Sequence, residues 1–297
     1  MILSVNLGSR SYDVVIERGC LARAGELLNL NRKVLVVTDS GVPAEYAQTV
    51  AAQAKTPVIV TFEQGEENKN IHTWMSLLHR LVSENFTRGD CVVAVGGGVT
   101  GDMSGFAAAA YLRGIDFYNV PTTLLSQIDS SVGGKVAVDF QGYKNLVGAF
   151  WQPKKVLIDP DVLQTLPPRQ ISAGMAEAVK VALTGDRELF ELFETGNAFD
   201  AVETVIARAL AVKRHVVEQD ETEGGLRRVL NFGHTVGHAV ETVSGYSLLH
   251  GECVALGMLP MVSPAVRERL LPVLESLHLP TSYHGDPEAV IQAMAHD

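Results

Sequence analysis

The 297 residues exceed the roughly 100 to 200 of an ordinary single domain, and 46% hydrophobic with 20% charged residues is a globular composition, which points to two domains with two cores and excludes a disordered chain. A formal charge of −10 with no Lys/Arg-rich run speaks against nucleic-acid and membrane-surface partners, so an anionic substrate must be held by a few locally placed cations. No run approaches the ~18 apolar residues of a membrane helix and no basic, apolar signal segment opens the chain, so a cytoplasmic protein is expected; Cys20, Cys91 and Cys253, odd in number and scattered, fit reduced thiols better than a disulfide framework or a thiolate zinc site.

In chain order, MILSVNLGSRSYDVVIE alternates like a strand. KVLVVTD, the helical PAEYAQTVAAQA, PVIVTF, the helical IHTWMSLLHRLVSE and CVVAVGG then alternate β-branched runs with helices, the pattern of βαβ units in a parallel sheet. Near LPPRQ the character changes, and ISAGMAEAVKVAL, RELFELFE, AVETVIARALAVKRHVVEQ and the segments beyond read as amphipathic helices. The expected fold class is an α/β Rossmann-like domain over 1–165, followed by an all-helical domain over 166–297, packed without a flexible linker so that one cleft lies between them.

GGGVTGD, Gly96 to Asp102, follows an apolar run and opens a helix, so it reads as a strand-to-helix turn whose backbone N–H groups can meet a phosphate. Gly96, Gly98 and Gly101 satisfy G-x-G-x-x-G, but no acidic residue closes the following strand, and a plain tight turn explains the same residues. DSSVGGK, Asp129 to Lys135, is a second turn ending in a cation, followed by Lys144 and Asn145; two lysines near glycine turns suggest an anionic ligand, against the ordinary reading as solvated charges. Glu177 and Lys180 share a helix face and read as an exposed ion pair, and Lys213 and Arg227 as surface cations, except that they precede a histidine-rich stretch. In NFGHTVGHAVETVSGYSLLHGE a helix stacks His234 over His238, a spacing at which two imidazoles can meet one metal ion. His250 or Glu252 then offers a third ligand, with a hydrogen-bonded helix histidine as the alternative for any one of the three.

Taken together, GGGVTGD, the RG after AAAAYL, PTTLLSQIDSSVGGK, KNLVGAF, SAGMAEAVK, LRRVLNFGHTVGHA and HGE resemble, in this order and over most of the chain, the 3-dehydroquinate synthase family. The resemblance implies a lyase that converts 3-deoxy-D-arabino-heptulosonate 7-phosphate to 3-dehydroquinate and phosphate in the shikimate pathway, with catalytic NAD and a divalent metal, zinc or alternatively cobalt. It implies metal ligands Glu177, His234 and His250, with His238 on the substrate side near the phosphate. NAD would meet Asp39, Glu66, Lys69, Gly97, Gly98, Asp102, Thr122, Thr123, Leu125, Asp129, Lys144, Thr165 and Leu166. Substrate would be clamped by Lys135, Asn145, Lys180, Lys213, Arg227 and Asn231, with Arg113 reaching in from the other subunit of a homodimer. The implied chemistry is oxidation of a secondary alcohol by NAD, phosphate elimination next to the new ketone, reduction by the same cofactor, ring opening and aldol closure, so the net reaction is not a redox one.

The resemblance departs at AVIQAMAHD, where the family continues with an Asp-Lys-Lys segment bearing a phosphate-contacting lysine, and in the shorter stretch after HGECVALGM. Two other enzyme classes fit parts of the pattern: a different sugar phosphate cyclase, and a metal-dependent polyol dehydrogenase, which would release NADH. A silent binding relative is a third reading, resting on the missing lysine alone.

Overall fold

The opening alternation is interrupted at Gly8 (φ 64°), so it forms two strands, β1 (Ile2–Val5) and β2 (Tyr12–Ile16), paired antiparallel as the edge of a sheet. The remaining strands of that sheet are parallel: β3 (Lys33–Asp39), β4 (Thr56–Phe62), β5 (Cys91–Gly96), β6 (Asp116–Pro121) and, after a separate hairpin of β7 (Lys135–Phe140) and β8 (Tyr143–Phe150), β9 (Lys155–Ile158). The seven-stranded order is β1-β2-β9-β6-β5-β3-β4. Every residue of β5 and the middle five of β3 are buried, as continuous apolar runs require in strands covered on both faces, whereas β4 keeps an exposed alternation at the other edge.

The helices between strands are α1 (Ala24–Leu27), α2 (Ala44–Ala51), α3 (Ile71–Ser83) and α4 (Gly98–Ala110). Ala47, Val50 and Ala51 of α2 pack with Val34, Val36 and Val93 on one face of the sheet, while Leu77 and Leu81 of α3 and Met103 and Ala107 of α4 pack with Leu35, Val37 and Val92 on the other. The chain therefore leaves β3 toward one face and β5 toward the other, and these strands are neighbours. That is a topological switch point, where the loops after two adjacent strands part and leave a crevice at their carboxyl ends.

The β7–β8 hairpin is a feature that the parallel-sheet expectation lacks. Its two-residue turn places Gln141 (φ 51°) and Gly142 (φ 83°) both in the left-handed region, the geometry that matches strand twist. The helical expectation for the rest holds: α5 (Pro168–Gly185), α6 (Arg187–Glu194), α7 (Val202–Gln219), α8 (His234–Val243), α9 (His250–Met258), α10 (Pro264–Ser276) and α11 (Pro287–Met294). In the computed structural model, which describes residues 1–295, contacts divide the chain into Met1–Thr165 and Leu166–Asp297; the last two residues of the expected 166–297 domain lie outside the described residues. All three cysteines are buried free thiols, with burial pushing Cys20 and Cys91 up to about 12, and no helix among the described residues is long and apolar enough to cross a membrane.

Asp186 illustrates how the helical unit is fastened. It caps α6 by accepting the Leu189 N–H and takes two hydrogen bonds from Arg208, at 2.8 and 2.6 Å, and these hold its carboxyl below the usual range despite the opposing effect of burial. A carboxylate with a depressed folded-state pKa contributes stability above its unfolded value, lost as pH falls through the folded one. Asp186→Asn, which keeps the cap but removes the charge, should therefore cost about 1 kcal/mol at pH 7 in denaturant unfolding. The deficit relative to the parent should shrink toward zero in acid.

Candidate active site

In the helical unit, three helices meet through glycines. A Cβ at Gly251 of α9 would land on the Ala173 carbonyl of α5, and one at Gly257 would land on the Gly233 carbonyl just before α8. Without side chains there, α9 lies against both neighbours, which brings Glu177 of α5 together with His234 of α8 and His250 of α9. His250 Nε2 lies 3.5 Å and His234 Nε2 3.7 Å from Glu177 Oε1. His238, one turn after His234, completes a group in which the three imidazoles offer nitrogens within 4.8 Å of one another.

Glu177 is 1% exposed, and neither carboxylate oxygen has a hydrogen bond of acceptable geometry, although Lys180 Nζ, equally buried, lies 2.5 Å from Oε2. Burial alone would raise its pKa; Lys180, His250 and His234 overcome that and hold it well below the usual carboxylate range. An ionised carboxylate stripped of water and short of hydrogen bonds is costly unless a cation meets it. The two ring orientations are set from behind: His234 Nδ1 is 3.3 Å from the Phe232 carbonyl and His250 Nδ1 is 3.4 Å from Glu241 Oε2. With each Nδ1 turned to an acceptor behind the ring, each Nε2 is left facing Glu177, the position that a metal-ligating nitrogen takes. One carboxylate oxygen and two imidazole nitrogens so arranged fit a divalent cation with room for an external ligand.

The same unit settles several local alternatives. Glu177 and Lys180 are a buried pair rather than an exposed one, and Lys213 and Arg227 are buried rather than surface cations. Glu252 does not turn to the histidines: Arg169 donates to both its oxygens at 2.7 Å, and it also accepts the Leu249 N–H, which fixes the start of α9. Asp220 accepts the backbone N–H groups of Gly224, Gly225 and Arg227, and so folds the loop leading into the 3₁₀ turn Leu226–Asn231 that carries Arg227 and Asn231. Arg227 Nη1 donates to the Glu221 carbonyl at 2.5 Å, and Asn231 Nδ2 to Glu223 at 3.1 Å. Leu166 begins the unit, ahead of α5.

In the α/β unit, the glycine turn lies at the switch point. Gly97 precedes α4 and Gly98 starts it, and no side chain caps the helix, so its first N–H groups remain available to an anion. A Cβ at Gly98 would press to 3.2 Å from Ser130 Oγ, and one at Gly97 to 3.1 Å from Thr123 Cγ2. The acidic residue missing from the following strand is supplied by the neighbouring one: Asp39 ends β3, and its Oδ2 accepts from Thr100 Oγ1 at 2.6 Å. Thr122, whose N–H donates to the Gly96 carbonyl, and Thr123, bonded to Ser126, follow β6; Leu125 then leads into a π-helical turn, Ser126–Ser130, that includes Asp129. Buried Lys69 joins Asp102 Oδ2 at 2.6 Å and Asn145 Oδ1 at 2.5 Å, while Lys69 and Lys144 each lie 4.0 Å from Glu66. Lys135 opens β7 and is exposed, as is Arg113, held at φ 69°; Thr165 Oγ1 pairs with Tyr46 OH at 2.9 Å. Sequence reasoning missed Arg169, Asp220, Thr100 and Glu241. For Glu241 a signal existed, since it stands seven residues after His234 and three after His238, on the same helix face.

This fold is that of sugar phosphate cyclases. It is similar to 2-epi-5-epi-valiolone synthase from Streptomyces hygroscopicus, solved with NAD+ and Zn2+ bound (32% identity, 98% of this chain and 87% of that one, TM-score 0.89). It is also similar to 2-deoxy-scyllo-inosose synthase complexed with carbaglucose-6-phosphate, NAD+ and Co2+ (27% identity, 100% and 87%, TM-score 0.86). Residues 59–173 match the 3-dehydroquinate synthase N-terminal family and residues 174–297 its C-terminal counterpart. The 3-dehydroquinate synthase of Pelobacter propionicus is 45% identical over 86% of this chain and 76% of its own length. The chain belongs to the 3-dehydroquinate synthase family.

The close helix contact gives a direct test. Gly251→Ala must push α9 away from α5, and overpacking of this kind costs about 1–3 kcal/mol. Chemical denaturation should show that loss.

Proposed function

We propose that the chain catalyses the 3-dehydroquinate synthase reaction, conversion of 3-deoxy-D-arabino-heptulosonate 7-phosphate to 3-dehydroquinate and phosphate, as a carbon–oxygen lyase. The observation that carries this reading is the buried Glu177 carboxylate, paired with Lys180 and facing His234 and His250, in a chain 45% identical to a relative of that name. Glu177, His234 and His250 would hold a divalent metal, and Asp39, Gly97 and Gly98 would anchor NAD, with Glu66, Lys69, Asp102, Thr122, Thr123, Leu125, Asp129, Lys144, Thr165 and Leu166 as its further contacts. When bound, the metal polarises the substrate's reacting hydroxyl and later carbonyl oxygen, and NAD accepts and returns a hydride.

The chain's own residues then bind and orient. Lys180, Lys213 and Arg227 are cations withdrawn from water, where opposite charge is worth far more than at the surface, so a carboxylate or phosphate entering beside them is held firmly. Asn231 adds hydrogen-bonding capacity on the same 3₁₀ turn as Arg227, and His238, whose ring lies 5.2 Å from that of His234, would face the substrate rather than join the ligands. Lys135 and Asn145 of the α/β unit belong to the same assignment, and Arg113 to a homodimer in which it serves the other subunit. A cytoplasmic enzyme completes the reading. The substrate's phosphate can take the proton during its own elimination, which leaves the protein the tasks of holding conformation and compensating charge.

Incubation with the heptulosonate phosphate, zinc and substoichiometric NAD should release many equivalents of phosphate per NAD without accumulating NADH, and a chelator should abolish release. NADH formed in step with substrate consumption would instead indicate a dehydrogenase, and turnover of glucose 6-phosphate but not the heptulosonate phosphate would indicate another cyclase. Arg227→Ala should lower kcat/KM on the heptulosonate phosphate by about 10–100-fold, roughly the 1.4–2.7 kcal/mol of a charge-assisted contact, mainly through KM. Unchanged saturation would remove Arg227 from the substrate site.

A further inference from the structure

Glu241 is 7% exposed and lies outside the proposed ligand set. It follows His234 by seven residues and His238 by three on α8, so all three share one helix face. Its Oε2 meets His250 Nδ1 at 3.4 Å, while His250 Nε2 faces Glu177 at 3.5 Å. The imidazole of α9 is thus held between two carboxylates from two different helices. By contrast, His234 is backed by the neutral Phe232 carbonyl. Charge balance adds a second reason for a carboxylate here. A dication bound beside the buried Lys180 cation would be countered by Glu177 alone; Glu241 supplies the second negative charge behind His250, making that ring a stronger donor.

We infer that Glu241 is a positioning residue for the metal centre: it fixes the Nδ1–H tautomer and ring plane of His250 so that Nε2 reaches the ion, and ties α8, which carries one ligand, to α9, which carries another. This rests on the reading of Glu177, His234 and His250 as ligands. Hydrogen-bonded partners behind metal-bound histidines typically alter metal affinity by about 10–100-fold.

The test is zinc affinity by competition with a chromophoric chelator at fixed pH, on the full-length protein and its variants, with NAD affinity measured in parallel as a check on the fold. Glu241→Ala should weaken zinc binding about 10–100-fold with NAD affinity unchanged, and Glu241→Gln, which keeps an acceptor but loses the charge, should recover part of that loss. Zinc affinity of Glu241→Ala within twofold of the parent, or no recovery in Glu241→Gln, overturns the inference. Histidine-selective 15N spectra of the zinc-loaded parent test it without substitution: His250 should carry its proton on Nδ1 and be metal-bound through Nε2, and the reverse pattern overturns it. His250→Ala isolates the underlying reading, because undiminished zinc binding there removes the metal site itself, and this inference with it.

Discussion

A negative charge withdrawn from water organises the helical unit. Glu177 lies in the middle of α5, fully buried, with neither oxygen conventionally hydrogen bonded, and the surroundings answer it with cations and ring nitrogens: Lys180 on the next turn, His234 from α8 and His250 from α9. Leaving such a charge uncompensated costs several kcal/mol, comparable to a large part of a domain's net stability. The glycines at 251 and 257, the Arg169–Glu252 clamp at the start of α9 and the Glu241 contact behind His250 all serve to bring those partners to one point.

The α/β unit rests on a simpler constraint. Two strands with buried, largely apolar centres, β3 and β5, must be covered on both faces, and covering them with helices that leave in opposite directions opens the crevice in which Asp39 and the glycine turn meet. Adjacent strands bring a carboxylate and uncapped helix N–H groups together, although no acidic residue closes the strand that follows the turn in sequence.

Much of this was legible beforehand because periodicity reports burial. KVLVVTD and CVVAVG became β3 and β5, and the change of period beyond LPPRQ marked the start of the helices. The β7–β8 hairpin was not legible, since its outer residues are exposed and its turn is Gln-Gly rather than Asn-Gly or Asp-Gly, so neither alternation nor the usual turn signal stood out. Site residues divide along the same line. Spacing could pair His234 with His238 because both lie on one helix, but local spacing cannot see Glu177, 57 positions before His234, and only the whole-chain resemblance brought it forward. The exposed-pair reading of Glu177 and Lys180 failed because i,i+3 spacing says nothing about which face of a helix is buried. Arg169 was invisible for the same reason: its partner Glu252 is 83 residues away.

The claim on which the account depends is that Glu177, rather than His238, joins His234 and His250 on the metal. Zinc-edge anomalous diffraction from crystals of the zinc-loaded protein measures this directly. The account predicts one peak in coordination contact with a Glu177 oxygen, His234 Nε2 and His250 Nε2, with His238 outside coordination distance. A peak bound by all three imidazoles, with the Glu177 carboxylate still on Lys180 and away from the ion, would contradict it.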